Sequence, residues 1–482
     1  MSENARVARN TTVYTIALAV QKALAFLFFW YLSIQLGPTS LGYYVFALSF
    51  TTLFAVFLDI GIVPVITREM SRDQKIAQDL VSVSLGLKMI LGIVVTSVML
   101  VVAWMSHQEL IVKQLITIAG LLMLSDSFQS ILSSFFRAQQ KLQYESIGVI
   151  LFQVVEIAGG VIVLKLTGDV RWVMATVAGA SISVLILYIS IALTRYKLKY
   201  IASLPRKMVM FLLSKIPPFG FANIIIRVYN TADTLIMGYV IGTVAVGIYS
   251  IPAKVITALQ NLFANAFMAA IYPAMSRSYE QDKTRLSKQL LVSFTYMLLI
   301  SLPMAVGLFV ISKSVIAIVW PQYGGAVVPM MIMALSLPAI FLAFPSGSFL
   351  NATNRQNITT KNRAIVTIAS IVCNILFIPR YKIIGAASVY FGTNALLVVL
   401  DYWSLRSEVM QEWRLFASKT IRILLASCVM GVFVALLTRY ISVWGATISG
   451  VFAYGVTVIL CGGVTRDEIR FFISALRKKQ DQ

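Results

Sequence analysis

Apolar runs of about 20 residues recur from one end of this 482-residue chain to the other. That recurrence constrains the fold more than any other feature. A helix of about 20 apolar residues matches the roughly 30 Å hydrocarbon core of a bilayer, and the backbone of such a run must satisfy its own hydrogen bonds there. The alternating segments of about 10 residues that build a membrane β-barrel are absent. Charged residues make up 12% of the chain and hydrophobic ones 59%, with mean hydropathy +0.85. A soluble protein carries about twice that charged fraction. The fold class is therefore an all-α polytopic membrane protein.

Fourteen transmembrane helices are predicted. Six lie at 12–34, 41–66, 80–105, 110–135, 145–166 and 172–194, and six more at 208–240, 244–276, 287–311, 325–349, 362–379 and 383–405. Two further spans follow at 418–438 and 441–463. This gives an N-terminal six-helix lobe over 1–200, a second six-helix lobe over 201–410, two additional helices over 411–464 and a basic tail over 465–482. Phe471, Phe472, Ile473 and Leu476 give the tail an apolar side, as in a helix lying along the membrane surface. The polar start MSENARVARN and the length of the first apolar run do not suit a cleavable signal peptide, so the first helix is expected to be retained.

Charge orients the spans. With the N-terminus inside, 28 of the 40 Lys and Arg fall on cytoplasmic connections or within about a turn of them, 7 on or near outer connections and 5 deeper within spans. Basic residues are retained on the cytoplasmic side, so both termini are placed in the cytoplasm, and the plasma membrane is the expected location. This rule also accounts for the net charge of +21 without nucleic acid as a partner. No connection exceeds about 15 residues, which leaves no room for a soluble catalytic or receptor domain. Cys373, Cys428 and Cys461 all lie in apolar segments without metal-ligand spacing, and His107 reads as a solvated loop residue.

The chain also repeats itself. LGPTSLGYY (Leu36–Tyr44) matches IGTVAVGIY (Ile241–Tyr249) at an offset of 205 residues. The same offset aligns Met70-Ser71-Arg72 with Met275-Ser276-Arg277 and places Lys22 opposite Arg227. Internal repeats in transporters create binding sites at the repeat interface near the bilayer midplane.

Charges within spans are the candidate functional residues, because a charge at mid-bilayer costs roughly 2.5–3.5 kcal/mol or more unless it meets water, a counter-ion or a ligand. Asn223, Arg227, Asn230 and Thr234 follow steps of 4, 3 and 4, which puts them on one helical face with Asp233 adjoining. Gly247, Ser250, Lys254, Asn261 and Asn265 share a face of the next span, and Thr11, Thr15, Lys22 and Ser33 share one on the first. Arginine and lysine in such a setting favour a multiply charged anion, with paired guanidinium donors matching phosphate oxygens. Lys22, Arg227, Lys254, Asn223, Asn230 and Asn261 are the substrate-binding candidates. Asp59, Glu156 and Asp233 are candidates for coupling to H⁺ or Na⁺. A static alternative pairs these bases with Asp59, Asp126, Glu156 and Asp233 merely to hold helices together. Lys88 and Lys215 lie within about two turns of a cytoplasmic end, so snorkelling suffices for them. Prolines in the second, seventh, eighth, ninth and tenth spans, Pro217-Pro218 foremost, permit bending.

No enzyme motif is present: HExxH, CxxC, P-loop and DxD patterns are all missing, and Gly159-Gly160 and Gly324-Gly325 lack a strand–loop–helix context. No cofactor or metal is expected.

LGPTSLGYYVFALS (Leu36–Ser49), DIGIVPVITREMS (Asp59–Ser71) and FFRAQQKLQYES (Phe135–Ser146) resemble the first lobe of polysaccharide-export flippases. ADTLIMGYVIGTVAVGIYSIPAKV (Ala232–Val255), YPAMS (Tyr272–Ser276) and NILFIPRYKIIGAASVY (Asn374–Tyr390) resemble the second. These proteins belong to the multidrug/oligosaccharidyl-lipid/polysaccharide exporter superfamily. The resemblance spans roughly residues 8–405. It implies two pseudo-symmetric lobes in a V, with the first, second, seventh and eighth helices lining a cleft. It further implies movement of polyprenyl-linked oligosaccharide between leaflets by alternating access. The lipid's phosphate or pyrophosphate would meet the basic residues, and Asp233 falls at the family's aspartate before the glycine turn. Polysaccharide polymerase or glycosyltransferase machinery would be partners alongside membrane lipid. The two C-terminal helices resemble instead the fourteen-span peptidoglycan-precursor flippases, and could form a groove for a lipid tail. The rivals are a cation-coupled multidrug exporter of the same fold, a membrane-embedded glycan ligase or polymerase, and an assembly protein.

Overall fold

A computed structural model describes residues 3–198, 205–281, 283–409 and 413–464, and among these every regular element is helical. The proposed amphipathic tail lies outside the described residues. The first lobe contains α1 (Glu3–Leu58), α2 (Ile62–Arg72), α3 (Ala77–Met105), α4 (Leu110–Ala138), α5 (Leu142–Thr167) and α6 (Val170–Tyr196). The chain continues through α7 (Arg206–Lys215), α8 (Pro217–Val240), α9 (Thr243–Leu259) and α10 (Asn265–Gln281), the last two joined by a π-helical turn at Gln260–Ala264. Then come α11 (Lys283–Val319), α12 (Val327–Ala334), α13 (Leu337–Ala352), α14 (Gln356–Val409), α15 (Trp413–Leu437) and α16 (Val443–Leu460).

Ten of these helical stretches are long and apolar enough to cross a membrane, and the bent pair 321–334 and 337–352 brings the number to eleven. The protein is thus a multi-pass membrane protein. The fourteen predicted spans differ from this number in how long helices are divided. α1 and α14 contain single apolar stretches of 42 and 51 residues. A straight helix of 42 residues would be about 63 Å long, twice the hydrocarbon thickness. Neither is straight. α1 breaks at Gly37 (φ 68, ψ 176), immediately before Pro38, and α14 breaks at Lys382 (φ 51, ψ −132), shortly after Pro379. α8, which carries Arg227 and Asp233, is not among the ten.

Contacts divide the chain into two compact units: 1–250 with 374–382, and 251–373 with 383–482. In the first, α2 lays one face against α3 and α4. Ile62, Val65, Ile66 and Met70 are fully buried with Leu80, Val81, Ile131 and Phe136. Phe136 holds Tyr144 and Tyr188 at ring-centroid distances of 5.3 and 5.4 Å. Such pairs are worth about 0.5–1.5 kcal/mol each beyond burial. In the second unit, α11, α15 and α16 form a three-helix layer. Leu298, Leu302, Ile423, Ala426 and Val458 are its buried core, and Tyr454 donates to the Leu299 carbonyl at 2.8 Å. Asn362 donates to Asp401 at 2.8 Å within α14.

The repeat is realised inside the first unit as a reciprocal contact. Its first glycine, Gly37 in one copy and Gly242 in the other, has a left-handed backbone in both (φ 68 and 95). Its second glycine is the point of closest approach. A Cβ on Gly42 would lie 2.0 Å from the Thr243 carbonyl oxygen, and one on Gly247 would lie 2.0 Å from the Pro38 carbonyl oxygen. Pro38 and Thr243 are themselves equivalent under the offset of 205. Two copies of one turn therefore pack face to face, as small residues allow membrane helices to do.

Candidate functional site

α1 ends at Leu58, and residues 59–61 form a non-helical link to α2, with Gly61 left-handed at φ 79. The Asp59 amide still caps α1 through the Ala55 carbonyl at 3.1 Å. Its carboxylate is held between two helices. Lys88 of α3 donates to Oδ1 at 2.5 Å, and Arg227 of α8 brings Nη2 to 3.3 Å from Oδ2.

The two cations differ in how they are held. The Lys88 side chain is 0% exposed. Its ammonium has three N–H groups and three acceptors: Asp59, the Ser127 carbonyl at 2.8 Å and Ser130 Oγ at 2.8 Å. A buried ammonium without such partners costs several kcal/mol. Lys88 is thus fixed by its environment, and this corrects the snorkelling expectation. Its stem runs inward to a carboxylate that the α1–α2 break has placed in reach. Lys215, at the end of α7, keeps a partly accessible side chain. It pairs with Glu69 at 3.1 Å and lies 4.1 Å from the centroid of the Phe211 ring. Arg227, unlike Lys88, keeps 37% of its side chain accessible while touching an Asp59 that is 22% exposed.

Asp233, on the same helix as Arg227, is half-buried. It accepts from Tyr249 Oη at 2.8 Å and from the Thr234 amide at 2.7 Å. Tyr249 is the repeat's last residue and is buried, as is its counterpart Tyr44. Asp233 therefore ties α8 to the glycine turn that opens α9.

The other candidates lie on α1, α5, α8, α9 and the π-helical turn. Lys22 is exposed on α1, while Ser33, predicted on the same face, is buried and donates to the Trp30 carbonyl at 2.6 Å. The Thr11 and Thr15 side chains lie outside the described residues. Asn223 is half-buried and Asn230 exposed on α8. Glu156 on α5 accepts from Gln153 at 2.8 Å. Lys254 is exposed on α9 and Asn261 half-buried in the π-helical turn, both in the second unit. Asp126, weighed in the sequence only as a static partner, accepts from Ser181 Oγ at 2.6 Å. Lys88 is the member of the cluster that sequence reasoning passed over. The available signal was Ser130 on the facing helix, whose hydroxyl is one of the ammonium's acceptors.

The "Polysaccharide biosynthesis protein" family model matches residues 7–279, more than half of the chain, and the MatE model matches 218–379. An uncharacterized membrane protein of Methanocaldococcus jannaschii is 30% identical over 198 residues, 40% of this chain and 38% of its own length. "Probable flippase AglR" of Haloferax volcanii is 25% identical over 163 residues, 33% of this chain and 34% of its own length. These matches span little more than a third of each relative. Among solved structures, a lipid II flippase MurJ in an inward closed conformation superposes with a TM-score of 0.78 at 14% identity, covering 92% of this chain and 98% of that one. An inward-facing multidrug resistance MATE transporter of the MOP superfamily gives 0.67 at 15% identity, covering 82% and 96%. The chain belongs to the polysaccharide biosynthesis protein family and has the fold of the MOP-superfamily transporters.

Proposed function

We propose that this protein is a flippase that carries a lipid-linked oligosaccharide from the cytoplasmic to the outer leaflet, with the lipid's phosphate or pyrophosphate held by Arg227. The name of the Haloferax relative favours a flippase, and the family description favours a cargo of polysaccharide biosynthesis. The observation that carries the reading is the divided pairing of Asp59. One oxygen neutralises the fully buried Lys88, and the other holds a partly accessible Arg227.

This arrangement suits a site that binds and releases. A guanidinium left unpaired in an apolar wall is costly, so Asp59 occupies Arg227 between cargoes. An incoming phosphate is tetrahedral, but two of its oxygens can meet the planar guanidinium fork together, with more negative charge than a carboxylate. When it takes Arg227, Asp59 keeps Lys88 as its counter-ion, so neither carboxylate nor ammonium is stranded. Asn223 and Asn230 on α8 and Lys22 on α1 are the proposed neighbours for headgroup oxygens. Both termini in the cytoplasm and residence in the plasma membrane complete the reading.

A cation-coupled exporter is the second reading, favoured by the Asp233–Tyr249 link, where protonation of a carboxylate would loosen α8 from the glycine turn. The two are separated by reconstitution. Full-length protein in liposomes with a fluorescent polyprenyl-pyrophosphate glycan should flip it, and Arg227→Ala should abolish the movement. Flipping by the Arg227→Ala variant at the wild-type rate would reject the anion-binding role.

A further inference from the structure

The second unit contains a cavity of about 300 Å³ that the transport reading does not use. It lies between α11 and α15. From α11, Lys288, Leu291, Val292 and Tyr296 line it at helical spacing, which places them on one face. Phe416 and Lys419 of α15 stand opposite.

The two helices run parallel. Phe294 meets Phe416 at 6.0 Å, Leu298 and Leu302 share a core with Ile423 and Ala426, and a Cβ on Gly431 would come within 2.5 Å of Val306. Rising numbers on one helix face rising numbers on the other. The N-terminal ends of both therefore lie at the same end of the pair, and the cavity with its two lysines sits there. Both helices are long and apolar enough to cross a membrane. From Lys288 to Tyr296 the α11 wall runs about 12 Å along the helix axis.

A small cleft with two ammonium groups at one end of two membrane helices and an apolar wall leading inward complements one class of molecule. Its size falls at the lower edge of ligand pockets, roughly 300–1,000 Å³. Basic pockets between membrane helices take anionic lipid headgroups. We infer that this cleft is a resident site for an anionic membrane phospholipid, with the headgroup phosphate between Lys288 and Lys419 and an acyl chain along Leu291, Val292 and Phe416. A free anion would leave the apolar wall unused, and an anionic headgroup matches the charge of two lysines at the mouth better than a zwitterionic one. The bound lipid joins α15 to α11 and stabilises the second unit, independently of Arg227.

The test uses the full-length protein in detergent micelles. Phosphatidylglycerol, phosphatidylcholine, inorganic phosphate and a polyprenyl pyrophosphate are titrated separately, with thermal melting and native mass spectrometry as readouts. Phosphatidylglycerol is expected to raise Tm and to be retained as a discrete adduct. Lys288→Gln and Lys419→Gln should each weaken it about fivefold, and the double variant about 30-fold. Lys313→Gln, which removes one charge at the other end of α11, should bind as wild type. Should the double variant fail to fold, the single variants and Lys313→Gln suffice to decide. Equal retention of phosphatidylglycerol by wild type and lysine variants overturns the proposal. So does an equal Tm rise with phosphatidylcholine or with phosphate alone, or preferential retention of the polyprenyl pyrophosphate.

Discussion

Lys88 and Arg227 share one carboxylate: Asp59 accepts Lys88 on Oδ1 at 2.5 Å and faces Arg227 through Oδ2 at 3.3 Å. The first pair is sealed and the second is partly open. That difference separates residues that hold the fold from the one proposed to meet cargo.

The sealed pair should behave as a structural unit. Asp59→Asn or Lys88→Ala alone removes one member of a buried ion pair and should destabilise the protein by about 3–5 kcal/mol. The double change Asp59→Asn with Lys88→Met strands no ammonium and leaves only the partly accessible Arg227 without its carboxylate, so it should recover part of that loss, a coupling read by a double-mutant cycle in thermal or denaturant unfolding. Additive losses would show that the two residues do not depend on each other.

The duplicated turn makes a steric prediction. Gly42→Ala and Gly247→Ala each drive a methyl group to 2.0 Å from a carbonyl oxygen, where backbone must move. Each should cost about 1–3 kcal/mol or more, as overpacking does, and lower folded yield. Ala at Gly179 or Gly455, where no atom lies within 4 Å, should leave the melting temperature unchanged.

Glu69 gives a pH prediction outside the candidate spans. Burial pushes its carboxyl upward, but hydrogen bonds from Lys215 and Arg68 outweigh that and hold it below the ordinary value. A carboxyl depressed in the folded state contributes stability above its unfolded pKa, and that stability is lost as pH falls through the folded pKa. Melting temperature should therefore drop on acidification below about pH 4.5, near the ordinary carboxylate value. Glu69→Gln should lower stability by about 1–3 kcal/mol at neutral pH and flatten this acid dependence. An unchanged acid limb in Glu69→Gln would remove Glu69 from the account.

Topology can be read chemically. In a background with Cys373, Cys428 and Cys461 replaced, a cysteine at His107 should react with a membrane-impermeant thiol reagent applied outside, and one at Lys141 only after the membrane is opened. The reverse pattern would invert the orientation drawn from the basic-residue bias.

Much of the helical layout was legible because apolar runs of bilayer length have few other solutions. The repeat was legible too, and its two glycines carry different duties: Gly37 and Gly242 take a left-handed backbone, while Gly42 and Gly247 admit a neighbouring carbonyl. The breaks in α1 and α14 were legible too, since Gly37 and Lys382 leave the helical backbone within the short connections read at 34–41 and 379–383. The fate of Lys88 was not. Distance from a span end suggested snorkelling, whereas the break at residues 59–61 aims Asp59 at it, a consequence of local backbone direction. Asp59 itself stood among both the coupling candidates and the static partners, and its two-sided pairing is visible only in three dimensions.

The central claim is that Arg227 is held ready for an anion by Asp59 and is not a fixed structural cation. Flipping of a labelled polyprenyl-pyrophosphate glycan by Arg227→Ala, Arg227→Lys and wild-type protein in liposomes tests it most directly, with melting temperature measured on the same samples. Arg227→Ala should melt close to wild type and lose flipping, while Arg227→Lys retains part of it. An Arg227→Ala variant that flips the glycan at the wild-type rate per folded molecule would contradict the account.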